Sequence, residues 1–190
     1  VLVNTMTGLI KVQVDANASG LDLIWGRPVF GLSIDKTNDF GFIIAGDKIT
    51  KTDPDGNIVW MNEYLEDINF SGDFFYGRNI KQTSDGGFIS YGNGCVDCKS
   101  LIKIDSQGNL EWYYQSAGYS DFVGSIEKND GTFILSVFDN YGESYFYHFN
   151  NNGGFQYLQI DFDHSGKMAG TSSDSGYVMI SGNELIKMDP

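Results

Sequence analysis

Three groups of side chains in this sequence have the types and spacing to do chemistry. Cys95-Val96-Asp97-Cys98 holds the only two cysteines. A redox Cys-x-x-Cys needs its first thiolate stabilised, typically at a helix N-terminus, and no helical period follows here. A zinc centre needs about four ligands, and neither a second cysteine pair nor a nearby histidine supplies them. A loop disulfide between Cys95 and Cys98 in an exported protein is the expectation, with two free thiols as the rival. Asp53-Pro54-Asp55-Gly56-Asn57 has the look of a calcium loop. Calcium takes roughly six to eight oxygens, and this run lacks the later acidic ligand of an EF-hand. Its counterparts Asp105-Ser106-Gln107-Gly108-Asn109 and Asn150-Asn151-Asn152-Gly153 lose carboxylates yet keep turn residues, so hairpin chemistry wins over metal binding. His148 and His164 fall in different contexts, the second near Asp161 and Asp163. No Gly-x-Ser-x-Gly elbow accompanies them, and no glycine-rich phosphate loop precedes a helix. These residues predict no catalytic residue, no metal and no cofactor.

The elements that must position any site repeat. Asp39-Phe40-Gly41-Phe42-Ile43 returns as Asp85-Gly86-Gly87-Phe88-Ile89, Asp130-Gly131-Thr132-Phe133-Ile134 and Asp174-Ser175-Gly176-Tyr177-Val178. The spacing is about 45 residues, the signature of one supersecondary unit stacked on copies of itself. Around each copy lie four short runs rich in Ile, Phe, Tyr and Trp, separated by Gly, Asn, Asp and Ser turns, which read as hairpin-connected strands. In the second copy they cover 77–83, 88–91, 101–105 and 110–115. Trp25, Trp60 and Trp112 each follow a Gly-rich turn at one fixed place in the last run. Strict recurrence assigns these rings to packing between neighbouring units rather than to exposed platforms for sugars.

Four antiparallel strands per unit predict an all-β chain, a β-propeller of four-stranded blades. The series Asp-Gly-Gly-Phe-Ile, then Leu-Ile-Lys-Ile-Asp (101–105), then Gly-Asn-x-x-Trp (108–112) resembles the blade repeat of secreted bacterial and archaeal β-propellers. It is loosely similar to quinoprotein-like blades as well. The resemblance spans nearly the whole chain and implies a fold, not an activity. The expected organisation is one propeller repeat domain over 1–190, with incomplete blades at both ends and about four to five blades. Either a strand at 21–25 completes the last blade, or the chain is part of a larger propeller; the second is expected.

Composition removes several partners. Asp and Glu outnumber Lys and Arg by 25 to 12, a net charge of −13. That repels phosphate backbones, and the lysines form no basic stripe, so nucleic acid is not expected. No window reaches the roughly 18–20 apolar residues of a membrane span. Extracellular, cell-surface or periplasmic residence is the expectation.

Blade topology places the short Asp-Gly and Gly-Asn turns at one end and the variable connections at the other, where binding usually resides. The longest connection, 63–76, supplies Tyr64, Phe70, Asp73, Phe74, Phe75 and Tyr76 as candidate binding residues; Tyr91, Tyr119 and Tyr141 come from the other connections. Their rival role is to anchor long loops to the blades. The expectation is a chain that is no enzyme: a binding or assembly module meeting a protein or glycan at this end. A quinoprotein-like oxidoreductase or a hydrolase at the channel mouth is the alternative, and a structural spacer is the third reading.

Overall fold

The computed structural model describes residues 2–5, 8–14, 21–64, 75–95, 98–117, 121–138, 141, 144–161, 167–171, 176–181 and 183–188. Every element among them is a strand. β1 (Leu2–Thr5), β2 (Gly8–Val14) and β3 (Leu21–Arg27) form a first sheet. β4 (Ser33–Lys36), β5 (Phe42–Ala45), β6 (Ile49–Thr52) and β7 (Ile58–Asn62) form the second. The third holds β8 (Tyr76–Gln82), β9 (Phe88–Cys95), β10 (Cys98–Ile104) and β11 (Leu110–Ala117). The fourth holds β12 (Asp121–Glu127), β13 (Phe133–Phe138), β14 (Ser144–Phe149) and β15 (Phe155–Asp161). β16 (Lys167–Thr171), β17 (Tyr177–Ser181) and β18 (Glu184–Met188) make the fifth.

Each sheet is an antiparallel meander in chain order, so every connection is local and the chain is an all-β propeller of four-stranded blades. Among the described strands, none of the first sheet is hydrogen-bonded to one of the last, and the ring is open there. First strands of neighbouring blades lie side by side, β4 with β8 and β12 with β16. The first three phrases form the turn between a first and a second strand; Asp174 and Ser175 of the fourth lie outside the described residues. Gly86 and Gly131 take positive φ there, and Phe40 sits at φ 65 in the same position.

The core is divided into layers between blades, as stacked repeats require. Ile43, Ala45 and Ile49 of the second sheet meet Ile80, Phe88, Ile102 and Ile104 of the third. Ile89, Tyr91 and Leu101 on the other face of the third sheet meet Phe133, Leu135, Val137 and Phe149 of the fourth. Ile126, Ile134 and Phe146 meet Tyr177 and Met179 of the fifth. The phrase's aromatic is therefore the centre of each layer, with Phe88 only 1% exposed. Burying such a ring contributes an upper estimate of about 4–6 kcal/mol.

Each tryptophan closes its layer from outside. Trp60 lies edge-on to Phe88 at 5.9 Å, Trp112 to Phe133 at 5.6 Å, and Trp25 to Phe42 at 6.3 Å. In every case the ring also covers a glycine of the next blade's last turn: Gly56, Gly108 and Gly153, at φ +77, +86 and +76. Trp60 Nε1 donates to the Ser106 carbonyl at 3.1 Å and Trp112 Nε1 to the Asn151 carbonyl at 3.0 Å. Glycine serves two needs there, a left-handed backbone and the absence of a Cβ under the indole.

Candidate functional site

The conspicuous aspartates of the repeat are committed to structure. Asp39 Oδ2 accepts from Lys51 Nζ at 2.8 Å, and Asp85 Oδ2 accepts from Lys103 Nζ at the same distance. The hydroxyls of Thr37 and Thr83 and the amides of Gly41 and Gly87 donate to the other oxygens. The Lys51 ammonium and the Thr37 hydroxyl hold the Asp39 carboxyl at about 2. Burial acts to raise Asp85, but the bonds from Lys103, Thr83 and Gly87 outweigh it and keep the carboxyl below its ordinary value. In the fourth sheet His148 occupies the lysine position, and Asp130 takes its bonds from the Thr132 amide and hydroxyl. The calcium-like run is equally committed. Asp53 accepts from the amides of Asp55 and Asn57 and from the Asn57 side chain, and Asp105 repeats the same set with Gln107 and Asn109. Among the described residues no three His, Cys, Asp or Glu side chains converge as metal ligands.

The sequence-derived binding residues separate into three groups. Tyr64, Phe75 and Tyr91 are buried, with Tyr64 and Phe75 in the layer between the second and third sheets. The Tyr64 hydroxyl donates to the Gly108 carbonyl at 2.7 Å, and the Tyr91 hydroxyl to the Val123 carbonyl at 3.1 Å. Tyr76 and Tyr141 are exposed, Tyr141 at 92%. Phe70, Asp73, Phe74 and Tyr119 lie outside the described residues. Cys98 is disulfide-bonded, and Cys95, the other cysteine, is its Cα partner across β9 and β10.

Among the described residues, one hollow is a recess of about 570 Å³ beside Asn62–Tyr64 and Gly108–Leu110. Its polar groups are spent on one another: Asn62 and Tyr64 both donate to the Gly108 carbonyl, and Glu63 pairs with Lys48 at 2.5 Å. A smaller one, about 180 Å³, opens at the variable-loop end between the third and fourth blades. Arg78 near the start of β8, Asn93 and Lys99 flanking the β9–β10 connection, and Asp121 at the start of β12 converge on it, above Tyr91. Lys99 Nζ donates to Asn93 Oδ1 at 2.9 Å and lies 3.2 Å from Asp121 Oδ1. Burial pushes the Tyr91 phenol up, so it stays a donor to Val123.

A backbone irregularity aims the arginine. Gly77 pairs with Gly92 and Asn79 with Tyr91, which leaves Arg78 as the extra residue of a bulge in β8. The fourth blade makes the same bulge, where Phe122 pairs with Val137, Gly124 with Ser136, and Val123 is extra. Bulges re-aim a side chain and cluster beside functional sites. The bulge is thus shared while its occupant changes from Val123 to Arg78. Neither Arg78, Lys99, Asn93 nor Asp121 is singled out by the sequence, because the bulge exists only once the pairing register is known. A departure of Arg78 from the repeat was the one available signal.

No family model and no curated protein matches the chain. Solved structures do match. A Bacteroides caccae protein of unknown function is 11% identical at a TM-score of 0.59, over 88% of this chain and 65% of that one. A gluconolactonase from Xanthomonas campestris is 14% identical at 0.59, over 90% and 65%. A Synechocystis apocarotenoid oxygenase is 13% identical at 0.52, over 99% and 55%. The chain spans at most 65% of the length of these proteins. At such identity the likeness establishes the fold alone.

One expectation is corrected by it. The sequence shows no catalytic motif, metal set or phosphate loop and places its tryptophans in repeat-equivalent positions, so the expectation is a chain that is no enzyme. Enzymes stand among the solved propellers of this fold, and structural tryptophans exclude a stacked cofactor at those rings without excluding chemistry at the loop end. The non-enzymatic assignment is withdrawn.

Proposed function

We propose that the chain is a hydrolase of small polar lactones or esters, working in the loop-end cleft. One observation carries the reading: a carboxylate and an ammonium, Asp121 and Lys99, stand 3.2 Å apart at the mouth with Arg78 beside them. Asp121 accepts a proton from water as the water oxygen bonds to the substrate carbonyl carbon. Lys99 donates to the carbonyl oxygen as it becomes an oxyanion, where a preorganised donor is worth most. The tetrahedral intermediate collapses, its bond to the leaving oxygen breaks, and the alkoxide takes the proton back from Asp121. A gluconolactonase among the solved structures of this fold supports an enzyme of this class.

Cleft size narrows the substrate. About 180 Å³ is well below the roughly 300–1,000 Å³ of pockets for drug-sized ligands. A monosaccharide-sized ring fits and an oligosaccharide does not, which reduces the expected glycan partner to a single sugar-like ring. The disulfide at Cys98 supports residence in an oxidising compartment outside the cytosol.

The test is a titrimetric assay of aldonolactones and a chromogenic assay of aryl esters with the wild type, Asp121→Asn and Lys99→Met. Turnover by the wild type, reduced at least a hundredfold in Asp121→Asn, is the expected result. Absence of turnover across the panel, or an unchanged Asp121→Asn enzyme, removes the proposal.

A further inference from the structure

We infer that the cleft is selective for a substrate carrying one carboxylate away from its reacting carbonyl, and that Arg78 is the residue that reads it. The inference deepens the hydrolase reading and rests on it for the identity of the site. The charge of the cleft comes first. Two cations and one carboxylate line it, Arg78 and Lys99 against Asp121, in a chain whose net charge is −13. Lys99 is already engaged, shared between Asp121 and Asn93. Arg78 is exposed at the bulge, and among the described residues no carboxylate or carbonyl accepts from its guanidinium. Among the described residues the cleft therefore holds one positive charge, that of Arg78, beyond the Lys99–Asp121 pair.

The form of that charge selects the anion. A guanidinium presents a planar fork that matches a carboxylate through two parallel hydrogen bonds, with strength and directionality an ammonium lacks. Asp121 in the same cleft opposes anything more highly charged, so a phosphate dianion meets repulsion that a monoanionic carboxylate largely escapes. The ligand then spans the cleft, its carboxylate on Arg78 and its carbonyl beside Lys99 and Asp121. A carboxylated sugar lactone has this layout, with the two groups at opposite ends of a short carbon chain.

Two measurements test it. The first compares the γ-lactones of gluconate and glucarate, which differ only in whether the far carbon is a hydroxymethyl or a carboxylate. The wild type is expected to favour glucarolactone in kcat/KM by about ten- to hundredfold. Arg78→Gln should bring the ratio near one, and Arg78→Lys should restore part of it. The second measures binding without turnover, by calorimetry with gluconate, glucitol and inorganic phosphate. Gluconate should bind the wild type more tightly than glucitol or phosphate, weaken as salt rises, and lose that advantage in Arg78→Gln. If neither lactone is turned over but gluconate binding still depends on Arg78, the hydrolase reading falls and the carboxylate site stands. Gluconate binding equal in wild type and Arg78→Gln, or weaker than phosphate binding, overturns the inference.

Discussion

Lys103 is 1% exposed, yet its ammonium lies 2.8 Å from Asp85 across the blade. A second carboxylate, Glu111, meets the same ammonium at 2.7 Å. Lys51 and Asp39 repeat the pair one blade earlier. A buried lysine is tolerated only when its charge is matched, so the aspartate of the phrase neutralises a cation that the strand sequence places inside the blade.

Asp85→Asn should cost about 1–2 kcal/mol in urea unfolding, at the low end for a broken pair because the Asp85 side chain is 55% exposed. Lys103→Met should cost less than Asp85→Asn. It removes the buried charge while keeping the stem that packs in the layer. A larger loss in Lys103→Met than in Asp85→Asn would contradict this account.

Acid sensitivity follows from the same aspartates. The folded-state carboxyl of Asp39 is held at about 2, below its usual 3.8. A depressed carboxyl contributes stability that is complete above the unfolded value and is lost as pH falls through the folded one. Unfolding midpoints should therefore drop between about pH 4 and pH 2, in the same direction for Asp85, Asp105 and Asp130, whose carboxyls are also lowered. Asp39→Asn should be less stable at pH 7 and show a shallower acid slope than the wild type.

Gly86 and Gly108 share a φ of +86 but not their surroundings. A Cβ at Gly86 meets nothing within 4 Å, whereas one at Gly108 meets the Trp60 ring at 2.9 Å. Gly86→Ala should lose only the backbone term, about 1 kcal/mol. Gly108→Ala should lose that and the seating of Trp60, at least about 1 kcal/mol more. Equal losses in thermal unfolding would remove the glycine from the contact between blades.

Trp112 makes three contacts with separable contributions. It stacks on Phe149 at 6.2 Å, meets Phe133 edge-on, and donates from Nε1 to the Asn151 carbonyl. Trp112→Phe keeps the apolar contacts and should lose about 1 kcal/mol for the hydrogen bond. Trp112→Ala opens the layer and should lose about 3 kcal/mol. Near-ultraviolet circular dichroism of the two variants, set beside their unfolding midpoints, checks that order.

The blade was legible because its signals are local. The Asp-Gly turns, the alternating runs and the recurring tryptophans each depend on neighbours within a few residues, and together they predict the hairpins and the layers. What escaped depends on register and burial. The burial of Lys51 and Lys103 is invisible in the sequence, since nothing in Ile-Thr-Lys-Thr or Leu-Ile-Lys-Ile marks which face of a strand is covered. Tyr64 and Phe75 read as loop aromatics although they are seated in the core, because composition does not separate a ring that anchors a loop from one that displays it. Arg78 escaped for a third reason. It reaches the cleft through one unpaired residue in the β8–β9 ladder, and a bulge is a property of two strands at once.

The contact of each tryptophan with the following blade gives the chain a direction. Trp60 is finished by Ser106 and Gly108, and Trp112 by Asn151 and Gly153, always with the later blade supplying the seat. A blade leaving the ribosome therefore carries an unseated indole until some forty more residues have followed. Order of synthesis becomes order of sealing, and at any moment the growing end presents a single aromatic surface to whatever folds next.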